Sequence, residues 1–200
     1  MSNDDLTWAD FYQKTQGREP RPLLTDVLNF FEKDSPRDSL HAVDLGCGDG
    51  TETIALLQRG WSVLAIDSEP EAIRRLLEKL PKDGQTHLQT QVARFEEVSL
   101  PSTDLIHASF SIPFCHPKHF PEFWGKITDA IKPGGRFAGQ FFGVRDSWAD
   151  SLDMIFHTEE QVQTLFRKFE LESFVELDED GSAVSGPKHW HVFTVIARKK

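Results

Sequence analysis

Cysteine is scarce in this chain: the two present among 200 residues, Cys47 and Cys115, are too few for a disulfide framework. A reducing, cytoplasmic setting is therefore expected. Apolar runs are short as well. None approaches the ~20 residues that a membrane-crossing helix needs, and the first residues, Ser2, Asn3, Asp4 and Asp5, are polar and acidic, unlike a secretion signal. Positive charge is the third deficit, with 22 Lys and Arg against 32 Asp and Glu and a net charge of -10. That balance repels a long polyanion, so nucleic acids and anionic membranes are not expected partners. The sequence also lacks internal repeats, low-complexity tracts and any linker long enough to divide it. Residues 23–200 thus read as a single domain, preceded by a short segment, 1–22. What remains is ordinary for a packed globular core, with 38% hydrophobic and 27% charged residues.

From Pro22 onward, Leu23, Leu24, Val27, Leu28, Phe30 and Phe31 have helical spacing, with the proline in the first turn where its missing N–H costs least. An apolar run from His41 to Leu45 then meets Gly46-Cys47-Gly48-Asp49-Gly50 and a helix-like stretch to Arg59, giving strand, glycine turn, helix. The unit repeats. A second strand ends at Asp67, and Ser68 with Glu71 has capping-box spacing before a helix carrying Ala72, Ile73, Leu76, Leu77 and Leu80. Leu88, Thr90 and Val92 alternate as a third strand, and Asp104 to Phe110 reads as a fourth. Phe120, Phe123, Trp124, Ile127 and Ile131 mark a helix that runs into a Pro133-Gly134-Gly135 turn and a fifth strand from Arg136 to Phe142. Thr158 caps a further helix with Val162, Leu165 and Phe166. Residues 171–177 and 189–197 read as an antiparallel pair joined by an acidic loop. The expected fold is α/β: a doubly wound, mostly parallel, seven-stranded sheet with helices on both faces and a C-terminal antiparallel hairpin.

In such a sheet the ligand site lies beyond the carboxyl ends of the strands, where the first strand turns into its helix. Residues 43–51 occupy that place. Glycines there let the backbone approach a ligand, and Asp67, ending the next strand, stands where an acid bonds a ribose. A dinucleotide fingerprint starting at Gly46 requires glycine at position 51, which is Thr51. Asp44 before the turn and Asp49 within it would repel a pyrophosphate and suit an ammonium and a sulfonium.

The run Val43-Asp44-Leu45-Gly46-Cys47-Gly48-Asp49-Gly50 resembles the first motif of class I S-adenosylmethionine-dependent methyltransferases. The resemblance extends to Asp67, to Asp104-Leu105-Ile106 and to Lys132-Pro133-Gly134-Gly135, spanning residues 41–142. It implies a Rossmann-like methyltransferase fold and S-adenosylmethionine as cofactor. It further implies Asp44, Gly46 and Gly48 around the methionine part, Asp67 on the ribose hydroxyls, and Phe95 with Glu96 near the adenine. Cys47, Ser68 and Ser109 complete the cofactor-binding candidates. One departure stands out: Arg94 precedes Phe95 where the family often carries an acid, a loss for which Glu96 compensates.

The small size and the lead-in from Tyr12 to Pro22 resemble the small-molecule branch that includes tellurite-resistance methyltransferases. Its N-terminal segment folds over the cofactor, which implies Tyr12, Arg18 and Arg21 near the cofactor carboxylate or the acceptor. The implied reaction is in-line methyl transfer to a small-molecule acceptor by a monomer or homodimer, with no catalytic base dictated by the motif and no metal. Ser109, Ser111, Phe114, Cys115, His116 and Gln140 are candidates for the acceptor side.

Plainer readings compete at several positions. Asp67 could cap the helix near Pro70. His189, Trp190 and His191 alternate on a strand without a carboxylate in ligand spacing, as ordinary strand residues do. Phe141, Phe142 and Trp148 suit a core as well as a pocket wall, and the acidic run 176–180 suits a solvated loop. Among other functions, a protein acceptor and a non-catalytic cofactor-binding module stay open, whereas a nicotinamide oxidoreductase lacks its third glycine.

Overall fold

The computed structural model describes residues 8–34 and 39–200. Its framework is one sheet in the order β3-β2-β1-β4-β5-β8-β7. The strands are β1 (His41–Leu45), β2 (Ser62–Asp67), β3 (Leu88–Val92), β4 (Thr103–Ala108), β5 (Ile131–Gly143), β6 (Phe156–His157), β7 (Phe169–Ala183) and β8 (Gly186–Lys199). Pairing is parallel from β3 through β5, and antiparallel where β8 joins β5 and β7 joins β8. Eight strands stand where seven were expected: β6 is two residues long, too short for any periodicity, and pairs with Phe142 and Gly143 of β5.

The helices are α1 (Trp8–Lys14), α2 (Pro22–Glu32), α3 (Thr51–Gln58), α4 (Pro70–Lys79), α5 (Phe120–Ala130) and α6 (Glu159–Leu165). Alternation along the strands divides the core between two faces. Ala42, Val63, Leu105, Ala138 and Ile196 pack with Leu23, Leu24, Val27, Leu28 and Phe31 of α2 and with Ala55 and Leu56 of α3. Their strand neighbours Val43, Ile106, Phe137 and Val195 turn the other way, onto Phe123, Trp124 and Ile127 of α5 and Val162 of α6. Each fully buried apolar side chain of this kind contributes about 1.5–3 kcal/mol. On the second face Trp124 meets Phe137, Phe141 and Phe166 edge-on at ring-centroid distances of 5.2, 5.7 and 5.1 Å.

Several local expectations are corrected. The capping box of Ser68 and Glu71 does not form: Asp67 Oδ1 accepts the Glu69 N–H at 2.9 Å, and Glu71 pairs with Arg74 and Arg75. The box at Thr158 does form, with Gln161 as its partner. Residues 132–135 lie within β5, where the register with β4 shifts between Thr103 and Leu105, rather than in a separate turn. The acidic run 176–180 is strand, not loop, because the hairpin turns only at residues 184 and 185. It pairs directly with the histidines: His189 bonds Asp178 and Asp180, and His191 Nε2 bonds Glu176 at 2.8 Å. Carboxylates absent from local spacing are thus supplied across the ladder. The seven-residue α1 has no counterpart in the sequence reading beyond a covering segment.

His157 of β6 packs among Phe120 and Phe141, and its Nδ1 is buried without a partner. Burial pushes its pKa down to about 4. Above its unfolded pKa of about 6.5 the residue is neutral in both states; between about 6.5 and about 4 only the unfolded chain takes up the proton. Stability is therefore lost as pH falls through that window, by no more than about 3 kcal/mol. Denaturation series from pH 7 to pH 4 should show a shallower loss for His157→Leu than for the unmodified protein.

Candidate active site

The carboxyl ends of β1, β2 and β4 converge on the turn at residues 46–50. The Gly46 and Cys47 N–H groups both donate to the Ile66 carbonyl, at 2.8 and 3.0 Å, which fastens the turn to β2. Gly46 has φ +69°, and a Cβ placed there would stand 2.4 Å from Ser111 Cβ, so only glycine allows the β4 end to close in. Ser111 uses that approach to donate to the Leu45 carbonyl at 2.6 Å. Gly48, at φ +54°, lies beneath the ring of Tyr12, which a Cβ would meet at 3.4 Å.

Asp67 faces this turn from the end of β2. Its Oδ2 accepts the Gly48 N–H at 2.8 Å while Oδ1 holds the Glu69 N–H, so the carboxylate is fixed rather than free to cap. Burial raises its pKa, against the pull of those two N–H donors. Tyr12, from α1, is almost wholly buried over it; burial first, then the Asp67 charge, holds the phenol far above its ordinary range. Trp8, one turn earlier, packs against Phe114 at 5.0 Å. The α1 helix therefore spans from the turn after β4 to the β1–β2 crevice, as a covering element would.

The acids of the turn are not open to a ligand. Asp44 is buried below it, accepting from Thr53 Oγ1 at 2.6 Å and bonded to His107 Nδ1 at 2.9 Å. Asp49 pairs with Lys79 at 2.5 Å and accepts from Thr51 Oγ1. Their effect on a cation above the turn is long-range, not contact. Arg18 likewise spends both terminal nitrogens on Glu52, at 2.5 and 2.6 Å, and Glu52 Oε1 also accepts the Arg21 N–H. Glu52 keeps a lowered pKa despite its burial because of the Arg18 bonds.

Phe95 stacks on Phe123 at 4.6 Å and is half-buried, and Glu96 accepts from Arg94 Nε at 2.8 Å. Ser68 is exposed. Cys47 is fully enclosed, its thiol pushed well up by burial and by Asp44 and Asp67; Cys115 is pushed up to about 12, by burial first. Neither is a thiolate nucleophile at neutral pH. Ser109 Oγ is buried without a partner, Gln140 Oε1 accepts the Phe110 N–H at 3.0 Å, and His116 Nδ1 accepts the Lys118 N–H. The sequence reading missed Glu52, His107 and Phe110. Only Phe110 advertises itself, and only in three dimensions, as the one non-glycine residue with positive φ (54°) among those described.

Residues 42–135 match the family model described as a methyltransferase domain. The match is to a methyltransferase domain and covers 94 of the 200 residues. The chain is 29% identical over 154 residues to a trans-aconitate 2-methyltransferase of Rhodopseudomonas palustris, covering 74% of this chain and 52% of that protein. It is 27% identical over 101 residues to a carboxy-S-adenosyl-L-methionine synthase of Citrifermentans bemidjiense, covering 48% of this chain and 41% of the relative. The chain thus spans about half the length of the curated relatives it matches. TehB from Haemophilus influenzae has the same fold, with a TM-score of 0.78 at 16% identity over 97% of this chain and 68% of its own. No helix among the described residues is long and apolar enough to cross a membrane.

The close approach at Gly46 is testable by substitution. Gly46→Ala should cost about 2–4 kcal/mol, combining left-handed strain with overpacking against Ser111. Gly60→Ala, at a similar φ with open space around it, should cost about 1 kcal/mol. Denaturant titration of both variants gives the comparison; equal costs would remove the packing role of Gly46.

Proposed function

We propose that this protein transfers a methyl group from S-adenosylmethionine to a small-molecule acceptor by in-line displacement. The observation that carries the reading is Asp67: a carboxylate at the end of β2, fixed by the Gly48 and Glu69 N–H groups and set beside a backbone floor with no side chain at Gly48. That pairing fits a ribose diol next to a thioether or sulfonium better than a pyrophosphate, since two further carboxylates, Asp44 and Asp49, lie close below. When bound, the cofactor supplies an electrophilic methyl on a positively charged sulfur. The residues placed to hold it are Asp67 at the ribose, Gly46 and Gly48 under the methionine part, and Phe95 with Glu96 toward the adenine. Tyr12 and Trp8 exclude water from above, with exposed Ser68, enclosed Cys47 and the buried Ser109 hydroxyl as lesser contributors. Orientation supplies much of the rate in such a reaction, and no side chain at the site is arranged as an obligatory base. The relatives named above support a small acceptor, and the net charge of -10 argues against nucleic acid. Two buried free thiols suit a cytoplasmic protein, acting as a monomer or homodimer, with residues 1–22 as the covering segment and 23–200 as the catalytic domain.

Calorimetric titration with S-adenosylmethionine, S-adenosylhomocysteine and NADH tests this. Micromolar binding of the two sulfur ligands and no heat with NADH are expected, with Asp67→Ala weakening the former by about 1–3 kcal/mol. A thermal melt of the variant separates lost contacts from lost fold. Absence of binding by both sulfur ligands would falsify the proposal.

A further inference from the structure

Beside the glycine turn lies a cation without an anion. Arg21, the residue before α2, holds its guanidinium 4.8 Å from the centre of the Phe110 ring. The carboxylate that faces it, Glu52, is already engaged by both terminal nitrogens of Arg18 and by the Arg21 main-chain N–H. No carboxylate among the described residues pairs with the Arg21 side chain, whereas Arg18, Arg74, Arg75, Arg94, Arg136 and Arg145 all have one; Arg59 and Arg167, which also lack one, are exposed to water and bond Ala55 and Thr164. Half-burial and the Arg18 charge both work against this guanidinium, lowering its pKa. An unpaired, partly desolvated arginine is costly to fold around unless a ligand anion completes it.

The ring beneath it is specially held. Phe110 sits at φ 54°, a left-handed conformation rare for a bulky residue, with its N–H fastened to Gln140 Oε1. It continues into an aromatic run through Phe142 and Trp190, at 6.2 and 5.9 Å, and on to Trp148. A second cation on that run, Lys188, is enclosed by Trp148, Trp190 and Phe142 and paired with buried Asp146, so its charge is spent. Stacking uses the face of a guanidinium and leaves its in-plane N–H fork free, the arrangement that receives a carboxylate. Ser109, next to Phe110, adds a buried hydroxyl without a partner.

We propose that Arg21 is the receptor for a carboxylate on the methyl acceptor, making the acceptor a small organic anion laid against Phe110. The assignment rests on the methyltransferase reading and adds to it the charge of the substrate and the side chain that selects it.

The test uses the full chain saturated with S-adenosylhomocysteine and titrated with benzoate, salicylate, phenylacetate and trans-aconitate, each beside its neutral amide. Calorimetry and tryptophan fluorescence, to which Trp148 and Trp190 contribute among five tryptophans, give the affinities. At least one acid should bind, its amide at least about tenfold more weakly; Arg21→Gln should weaken the acid by about 10–100-fold and Arg21→Lys by less. The affinity for S-adenosylhomocysteine should stay within about twofold in both variants, and neither should melt below the parent. No binding by any acid, or equal binding of acid and amide, overturns the assignment. A parallel loss of S-adenosylhomocysteine in Arg21→Gln overturns it too, because Arg21 would then serve the cofactor's own carboxylate. The same acids titrated without cofactor judge the carboxylate site even where S-adenosylhomocysteine fails to bind, so that failure falls on the methyltransferase reading alone.

Discussion

A buried carboxylate beneath the glycine turn constrains everything built above it. Asp44 leaves water at the end of β1, and such a charge is tolerated only when its lone pairs are satisfied. Thr53 reaches it from the first turns of α3 and His107 from β4, so one side chain ties the strand before the turn, the helix after it and the neighbouring strand into a single unit. The turn between them has no freedom to wander. Asp67 then repeats the device at the end of β2, gripping the turn by Gly48 and the chain just before α4 by Glu69. The two acids divide the labour: Asp44 locks the strands to α3, and Asp67, buried under Tyr12, fixes the turn from the β2 side.

Legibility in the sequence followed how local each signal was. The parallel half of the sheet was readable because buried strands are continuous apolar runs and because a glycine turn between strand and helix has few other uses. The hairpin was misread at its tip because Glu176, Asp178 and Asp180 belong to an edge strand exposed along most of its length, where the apolar alternation that marks a strand disappears. Ser68 and Glu71 had the spacing of a cap, yet Glu71 is taken by Arg74 and Arg75 and α4 starts at Pro70 with no side-chain cap. At the site, Asp67 and the glycines could be named from position alone. Arg18 could be named but not understood, since its partner Glu52 lies on another helix 34 residues away. Phe110 could not be named at all, because its conformation is imposed by Gln140 and by the packing of the β4 end.

Charge is distributed in a way the net value conceals. The surface is acidic, yet the mouth of the crevice carries Arg18, Arg21 and Lys79, two of them neutralised by Glu52 and Asp49. An acidic exterior with a single unsatisfied cation inside focuses the field on small anions that fit the opening and discourages extended ones. Above that opening α1 adds an apolar cover of Trp8 and Tyr12, so the route in passes under aromatic rings rather than through bulk solvent.

The edge of the sheet carries a different implication. β7 ends the strand order, has no neighbour on its outer side, and exposes Leu171, Val175 and Leu177 along its length. Such a strand is a template for addition of a second copy. Interleaved with those residues are Glu170, Glu176, Asp178, Glu179 and Asp180, acids that would face the same acids of an incoming strand. Arg145 and His189 neutralise them only in part, from within the same chain. Along this open border like charge would meet like charge between two copies, a repulsion that weakens wherever protons or salt quench it.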